Sequence, residues 1–222
     1  MIYDVIVVSD LHLGTKNSKA KELTELLKEL KFTKIILLGD IFQDLNFDRL
    51  SKNHWKFLSY IRSISDEKEV IWVLGNHDIQ LYNVMSHLVG IETYTEYIHK
   101  DILFIHGHQF TIFKDYNKIV KKLLNTYVLF QKILPKKLIL FIEHWESKIL
   151  NSRNLVKNGA NKFAKHKNVK SIICGHTHYA DEVIFEDVIT YFNTGCWVDD
   201  KKMTYITIKD DNIKLNQFKM EE

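Results

Sequence analysis

The sequence predicts an α/β fold built on a largely parallel sheet, and three observations carry that expectation. Short aliphatic runs recur along the 222-residue chain, stretches with helical apolar spacing separate the first of them, and polar clusters follow directly at their carboxyl ends. Alternation of strand and helix needs crossover connections, which make neighbouring strands parallel and bury both faces of the sheet.

The first run, Ile2 to Val8, is rich in Val and Ile and ends at Ser9-Asp10-Leu11-His12. Ala20, Leu23, Leu26, Leu27 and Leu30 then recur at helical spacing and predict the first crossover helix. Ile35 to Leu38 and Val70 to Leu74 predict the next two strands, and between them Trp55, Leu58, Ile61, Arg62 and Ile64 mark a second helix. Ile102 to Ile105, Ser171 to Cys174 and Val188 to Asn193 predict further central strands. Beyond Gly195, the segments Thr204 to Ile208 and Ile213 to Phe218 flank Asp210-Asp211-Asn212 and predict a terminal antiparallel hairpin.

Residues 110–170 break the pattern, holding 14 Lys and Arg against 3 Asp and Glu, so that the rest of the chain is net acidic. Ile119, Leu123, Tyr127 and Phe130 fit one helical stripe, and Leu138, Phe141, Ile142, Trp145 and Ile149 fit another, divided by Pro135. The expectation is a single domain, 1–222, with a basic helical cap inserted at about 110–168. Its lysines are either a solvated face or a basic rim near an anionic substrate.

A hydrophobic fraction of 45% with 27% charged residues is ordinary for a soluble globular protein. No apolar run approaches the roughly 20 residues that cross a bilayer. Met1 leads straight into a strand without the basic flank of a secretory signal, so a cytoplasmic location is expected. Cys174 and Cys196 lack the close pairing of thiolate metal sites and are expected as small buried hydrophobes.

Chemistry is concentrated where the aliphatic runs end. Asp10, His12, Asp40, Asn76, His106, His176 and His178 offer carboxylate, imidazole and amide donors. A single ion rarely takes so many protein ligands, whereas two cations sharing a carboxylate do, and such a pair suits displacement at phosphorus because it binds both attacking and leaving oxygens. These donors favour Mn, Fe, Zn, Co or Mg over copper(I), and ligand type alone does not choose among them; two divalent ions, manganese first, are the expectation.

The order Asp-x-His, Gly-Asp, Gly-Asn-His-Asp, His, Gly-His-x-His, running from Ser9 to His178, resembles the calcineurin-like metallophosphoesterase family. That resemblance implies a four-layer α/β/β/α sandwich with its site at the carboxyl ends of the strands. It further implies that Asp10, His12, Asp40 and His178 hold one divalent metal and that Asp40, Asn76, His106 and His176 hold the other, with Asp40 bridging. His77 is then free to act as general acid towards the leaving oxygen. Asp78 either orients His77 or caps the next helix, and His108 either touches substrate phosphate or completes its loop. Arg153, Lys157 and Trp197 are further candidates for substrate contact. His54, His87, His99, His144 and His166 are expected to be structural or exposed.

Within the family, Ser-Asp-Leu-His-Leu-Gly, Gly-Asp-Ile-Phe, His-Gly-His, the Lys-rich insertion, Cys-Gly-His-Thr-His and Asn-Thr-Gly-Cys-Trp-Val look most like the UDP-2,3-diacylglucosamine pyrophosphohydrolase group. That likeness implies a lipid-linked nucleotide substrate and a cap in peripheral contact with the inner face of the membrane. The alternatives are a phosphodiesterase or phosphomonoesterase with a non-lipid substrate, a nuclease whose lysines meet RNA or DNA backbone, and a non-enzymatic scaffold.

Overall fold

The computed structural model describes residues 1–81, 91–111, 152–186, 188–199 and 203–219. In chain order these form β1 (Ile2–Val8), α1 (Ala20–Glu29), β2 (Lys31–Leu38), α2 (Lys52–Ile64), β3 (Glu69–Val73), β4 (Thr93–Tyr94), β5 (Tyr97–His99) and β6 (Ile102–Phe104). There follow α3 (Ser152–Lys167), β7 (Ser171–Cys174), β8 (Asp181–Ile184), β9 (Thr190–Asn193), β10 (Thr204–Lys209) and β11 (Asn212–Gln217).

Two sheets stack. The first has the order β11-β10-β1-β2-β3-β4 and the second β5-β6-β7-β9-β8. Strands β1 to β4 are mutually parallel, as are β6, β7 and β9, while the β10–β11 hairpin and the edge strands β5 and β8 pair antiparallel. Register puts Val7 beside Ile36 and Ile36 beside Ile71, so one face of each strand points the same way. Val5, Val7, Ile36, Leu38, Ile71 and Val73 meet Ile102, Phe104, Ile173 and Phe192 between the sheets. The opposite face, with Ile6, Val8, Ile35, Leu37 and Trp72, packs under Leu23, Leu27, Phe57 and Ile61 of α1 and α2. On the far side Val156, Ala160 and Ala164 of α3 cover Leu103, Ile172, Cys174 and Tyr191. Helix, sheet, sheet and helix make the expected four-layer α/β/β/α sandwich.

Several boundaries differ from expectation for physical reasons. Trp55 is half exposed, and α2 instead buries His54, Phe57, Ile61 and Ile64, a stripe rotated by one residue. Val188 has φ 65° and closes a turn onto Phe185, so β9 begins at Thr190. Strand β8 opens with Asp181-Glu182 at a sheet edge, which hid it from a search for aliphatic runs. Helix α3 also presses closely on the turn after β6; a Cβ on Gly159 would lie 2.6 Å from Phe110 Cβ. Cys174 and Cys196 are both buried free thiols, as expected. Both stripes expected in the cap, with Pro135, fall outside the described residues, as do His87 and His144. Among the described residues no helix is long and apolar enough to cross a membrane.

Candidate metal centre

Parallel strands deliver the polar clusters to one place. The loops after β1, β2 and β3 leave the carboxyl edge of the first sheet, and those after β6, β7 and β9 leave that of the second. The two edges are stitched together: Leu38 O accepts from His106 Nδ1 at 2.9 Å, and Asp10 Oδ2 accepts from the His176 N–H at 3.0 Å.

The backbone is strained where the donors sit. Asp10 (φ 52°), His12 (φ 46°), Asp40 (φ 51°), His176 (φ 69°) and His178 (φ 56°) all lie in the left-handed region. Each such residue costs about 1–2 kcal/mol, and the cost is met by surrounding hydrogen bonds. Asp10 N–H donates to Gly39 O and His12 N–H to Asp40 O, each at 3.0 Å, and Asp10 O accepts from Trp197 N–H at 3.0 Å. Space is equally constrained at Gly75, where a Cβ would stand 2.1 Å from Asp40 Oδ1.

Each aspartate divides its two oxygens between scaffold and site. Asp10 Oδ2 also accepts from the Ser9 hydroxyl, while Oδ1 is buried without a hydrogen-bond partner, 3.1 Å from His178 Nε2 and 3.8 Å from His12 Nε2. Asp40 Oδ1 accepts from the His77 N–H at 3.0 Å, and Oδ2 lies 3.3 Å from His106 Nε2 and 3.9 Å from His77 Nε2. Because His106 donates its Nδ1–H to Leu38, its buried Nε2 is the nitrogen left facing Asp40, and it has no hydrogen-bond partner. His12 Nε2 and His178 Nε2 face each other at 3.0 Å. Three sets of donor atoms converge within 4.8 Å: Asp10, His12 and His178; His12, Asp40 and His77; and Asp40, His106 and His176.

Charge follows this geometry. Burial pushes the Asp10 and Asp40 carboxyls up, but His178 and His12 beside the first and His106 beside the second more than offset it and hold both below the usual carboxylate range. Burial alone would lower His106, yet the Asp40 carboxylate raises it to about 10. His176 is pushed down to about 4 and His108 to about 3, in each case first by burial and then by the neighbouring His106. The ensemble is two buried carboxylates among imidazoles, with an orphaned oxygen and orphaned ring nitrogens aimed inward. Cations fit such a donor set.

The remaining candidates divide. Asn76 is exposed, on the loop between Gly75 and His77. His77 turns Nδ1 to Gln43 O at 2.6 Å. Among the described residues the fully buried Asp78 carboxyl accepts from the N–H groups of Ile41 and Phe42 at 3.1 and 3.0 Å and so braces the loop that carries Asp40, with no contact to the His77 ring. Burial and the nearby Asp40 charge raise its pKa. Trp197 is 0% exposed and packs beside Phe218, so it is a strut beneath Asp10 and not a substrate contact. Lys157 is committed to Asp181 at 2.7 Å. Arg153 stacks over the Tyr179 ring, 3.4 Å from its centroid, next to His178. His108 is half-buried, its ring centred 5.5 Å from that of His106.

Two positioning groups escaped the sequence reading. Gln43 acts through its carbonyl, which has no side-chain signature. Asn193 donates to Gly175 O at 2.7 Å and accepts from Gly195 N–H at 3.1 Å, bracing the loop of His176 and His178. Its place in Asn-Thr-Gly at the end of an aliphatic run was the available signal.

Comparison with known proteins places this site in context. The profile of the family described as Calcineurin-like phosphoesterase matches residues 3–180. No curated protein matches the chain. Among solved structures, the phosphoesterase YfcE of E. coli is similar at 16% identity, over 94% of this chain and 90% of that one, with TM-score 0.53. A cold-active protein-tyrosine phosphatase of a psychrophilic Shewanella species aligns at 15% identity over 98% of this chain and 78% of that one, with TM-score 0.53. Vacuolar protein sorting 29 of Cryptosporidium parvum aligns at 14% identity over 98% and 99% of the two chains, with TM-score 0.51. At these identities the structural likenesses speak to the fold alone.

Proposed function

This chain belongs to the calcineurin-like phosphoesterase family, a family of metal-dependent phosphoester hydrolases, and from that premise we propose that it hydrolyses a phosphodiester or pyrophosphate at a two-metal centre. The observation that carries the reading is the facing pair of buried aspartates, each with one oxygen tied to a loop N–H and the other turned towards imidazole nitrogens. Asp10, His12 and His178 would hold one divalent ion, and Asp40, His106 and His176, with Asn76 beside them, would hold the second, Asp40 lying between. When bound, paired cations supply an activated water and neutralise phosphoryl oxygens. The protein's own residues supply the rest. The surrounding hydrogen bonds fix the donor loops, and His77, steered by Gln43, presents Nε2 to the site; as the imidazolium it would deliver the Nε2 proton to the departing oxygen and keep the Nδ1 proton on Gln43 O.

The substrate reading is finer. The motif details from Ser9-Asp10-Leu11-His12-Leu13-Gly14 to Asn193-Thr194-Gly195-Cys196-Trp197-Val198 support a lipid-linked UDP-2,3-diacylglucosamine type, with manganese as the ion; of the cap expected at about 110–168, residues 152–167 are instead the sandwich helix α3. His77 favours a non-lipid phosphoester instead, because the pyrophosphohydrolase group typically has Arg at that place. Hydrolysis of a bis-aryl phosphodiester, UDP-diacylglucosamine, cyclic nucleotides and short RNA, each with manganese and with chelator, tests both readings. Manganese-dependent turnover of any of these supports the enzyme. No turnover with metal bound would favour a scaffold.

A further inference from the structure

A cleft of about 310 Å³ opens between the chain after Gly14 and the first turns of α1 and α2. The loop that carries His12 continues into its wall, in a turn where the Thr15 N–H and hydroxyl both donate to His12 O, at 3.1 and 2.9 Å. The walls carry Lys16, Lys19, Lys21 and Arg49 against a single acidic group, Glu22. Arg49 pairs with Asp44 through one nitrogen at 2.7 Å, which leaves the other donors of its guanidinium fork.

Two features of the walls call for a ligand. The Ser18 hydroxyl oxygen is buried with no hydrogen-bond partner. His54 is only 5% exposed, and its Nδ1 accepts from the N–H groups of Gly14 (3.2 Å) and Ser51 (3.1 Å), so the neutral ring carries its proton on Nε2 as a further donor. Helix α1 adds to this. Its N-cap, Lys19, offers no side-chain cap, whereas α2 is closed by the reciprocal Ser51 and His54 bonds. The amino terminus of α1, with its partial positive charge, borders the cleft at Lys19, Lys21 and Glu22.

We propose that this cleft binds a phosphate-type oxyanion. A tetrahedral anion with several acceptor oxygens matches a guanidinium, ammonium groups, a hydroxyl and a helix amino terminus arriving from different directions, whereas a carboxylate has too few acceptors for that set. The anion is either free inorganic phosphate or the second phosphate of a substrate whose scissile ester lies at the metal centre; the latter source rests on the phosphoesterase reading above.

The test is calorimetric titration of the full chain, stripped of metal with chelator, with inorganic phosphate at low salt, comparing the parent with Lys16→Ala/Arg49→Ala. Both side chains reach solvent, and thermal melts check that the variant is folded. Saturable binding to the parent, weakened at least tenfold in the variant, is the expected result. Absent binding, or equal affinity in a folded variant, would overturn the proposal. With manganese restored, the variant's KM for a pyrophosphate ester rises at least tenfold more than its KM for a bis-aryl phosphodiester if the anion belongs to the substrate. Equal KM changes alongside lost phosphate binding assign the cleft to free phosphate. A parent that binds phosphate yet hydrolyses nothing sinks the phosphoesterase reading and leaves the cleft standing.

Discussion

His77 Nδ1 lies 2.6 Å from the carbonyl oxygen of Gln43, an acceptor that can only receive a proton, and this sets the opposite nitrogen towards Asp40 Oδ2 at 3.9 Å. A backbone carbonyl thus keeps a proton on Nδ1 and aims Nε2 at the site, so His77 serves as general acid only as the imidazolium, with a proton on both nitrogens. His77 also lies within one of the donor sets that could hold a metal, with His12 and Asp40. The two roles differ in what His77→Ala removes. As general acid, its loss should lower kcat by about 10²–10⁴-fold on esters with poor leaving groups, much less on aryl esters, with metal content retained. Elemental analysis of the variant decides the matter, since lost metal would make His77 a ligand.

Metal removal should cost stability as well as activity. Without cations, Asp10 Oδ1 and His106 Nε2 are buried without hydrogen-bond partners. An ion that binds only the folded chain stabilises by about 2.7 kcal/mol at a hundred times its Kd. Chelator is therefore expected to lower Tm and manganese to restore it, as read by calorimetric scans; an unchanged Tm would count against a bound ion.

Asp78→Ala leaves the Ile41 and Phe42 N–H groups unpaired beneath the Asp40 loop. Each buried orphan costs about 1–3 kcal/mol, so a loss of at least about 2 kcal/mol is expected in urea denaturation. Asp78→Asn, which keeps an acceptor, should fall between. Because Asp78 acts through the loop, the alanine variant should also weaken manganese binding without contacting the ion.

His54 should make stability sensitive to acid. Burial lowers its pKa below the ordinary 6.5, and only the neutral ring can accept the Gly14 and Ser51 N–H groups at Nδ1. A folded value below the unfolded one means that its contribution is fully present above about pH 6.5 and is lost as pH falls through the folded value. His54→Gln retains an acceptor suited to this capping position and does not titrate. Melts of both proteins from pH 8 to 5, run in chelator, should show a shallower acid-side loss for the variant; parallel curves would assign the slope elsewhere.

Much of the architecture was legible because it rests on local patterns. The runs Ile2 to Val8 and Ser171 to Cys174 coincide with β1 and β7, and Asp10, Asp40, His106 and His176 stand where those runs and their neighbours end. A buried strand needs consecutive aliphatic residues, and a donor at its carboxyl end needs a turn at once, so both leave marks within a few positions. Strand β8 left none, since an edge strand tolerates charge, and the α2 stripe was legible only in Ile61 and Ile64, its first turns burying His54 and Phe57 in place of Trp55 and Leu58.

The sequence by itself determined the α/β alternation and the residue types that converge as donors, because hydrophobic periodicity and motif order are properties of neighbouring positions. Only the tertiary structure decided that Asp78 braces the Asp40 loop, that Trp197 lies beneath Asp10, that Gln43 steers His77, and that a basic cleft opens between the Gly14 loop and the first turns of α1 and α2. These choices depend on which loops two stacked sheet edges bring together across tens of residues. Burial then leaves each polar group only the partners that geometry places within reach.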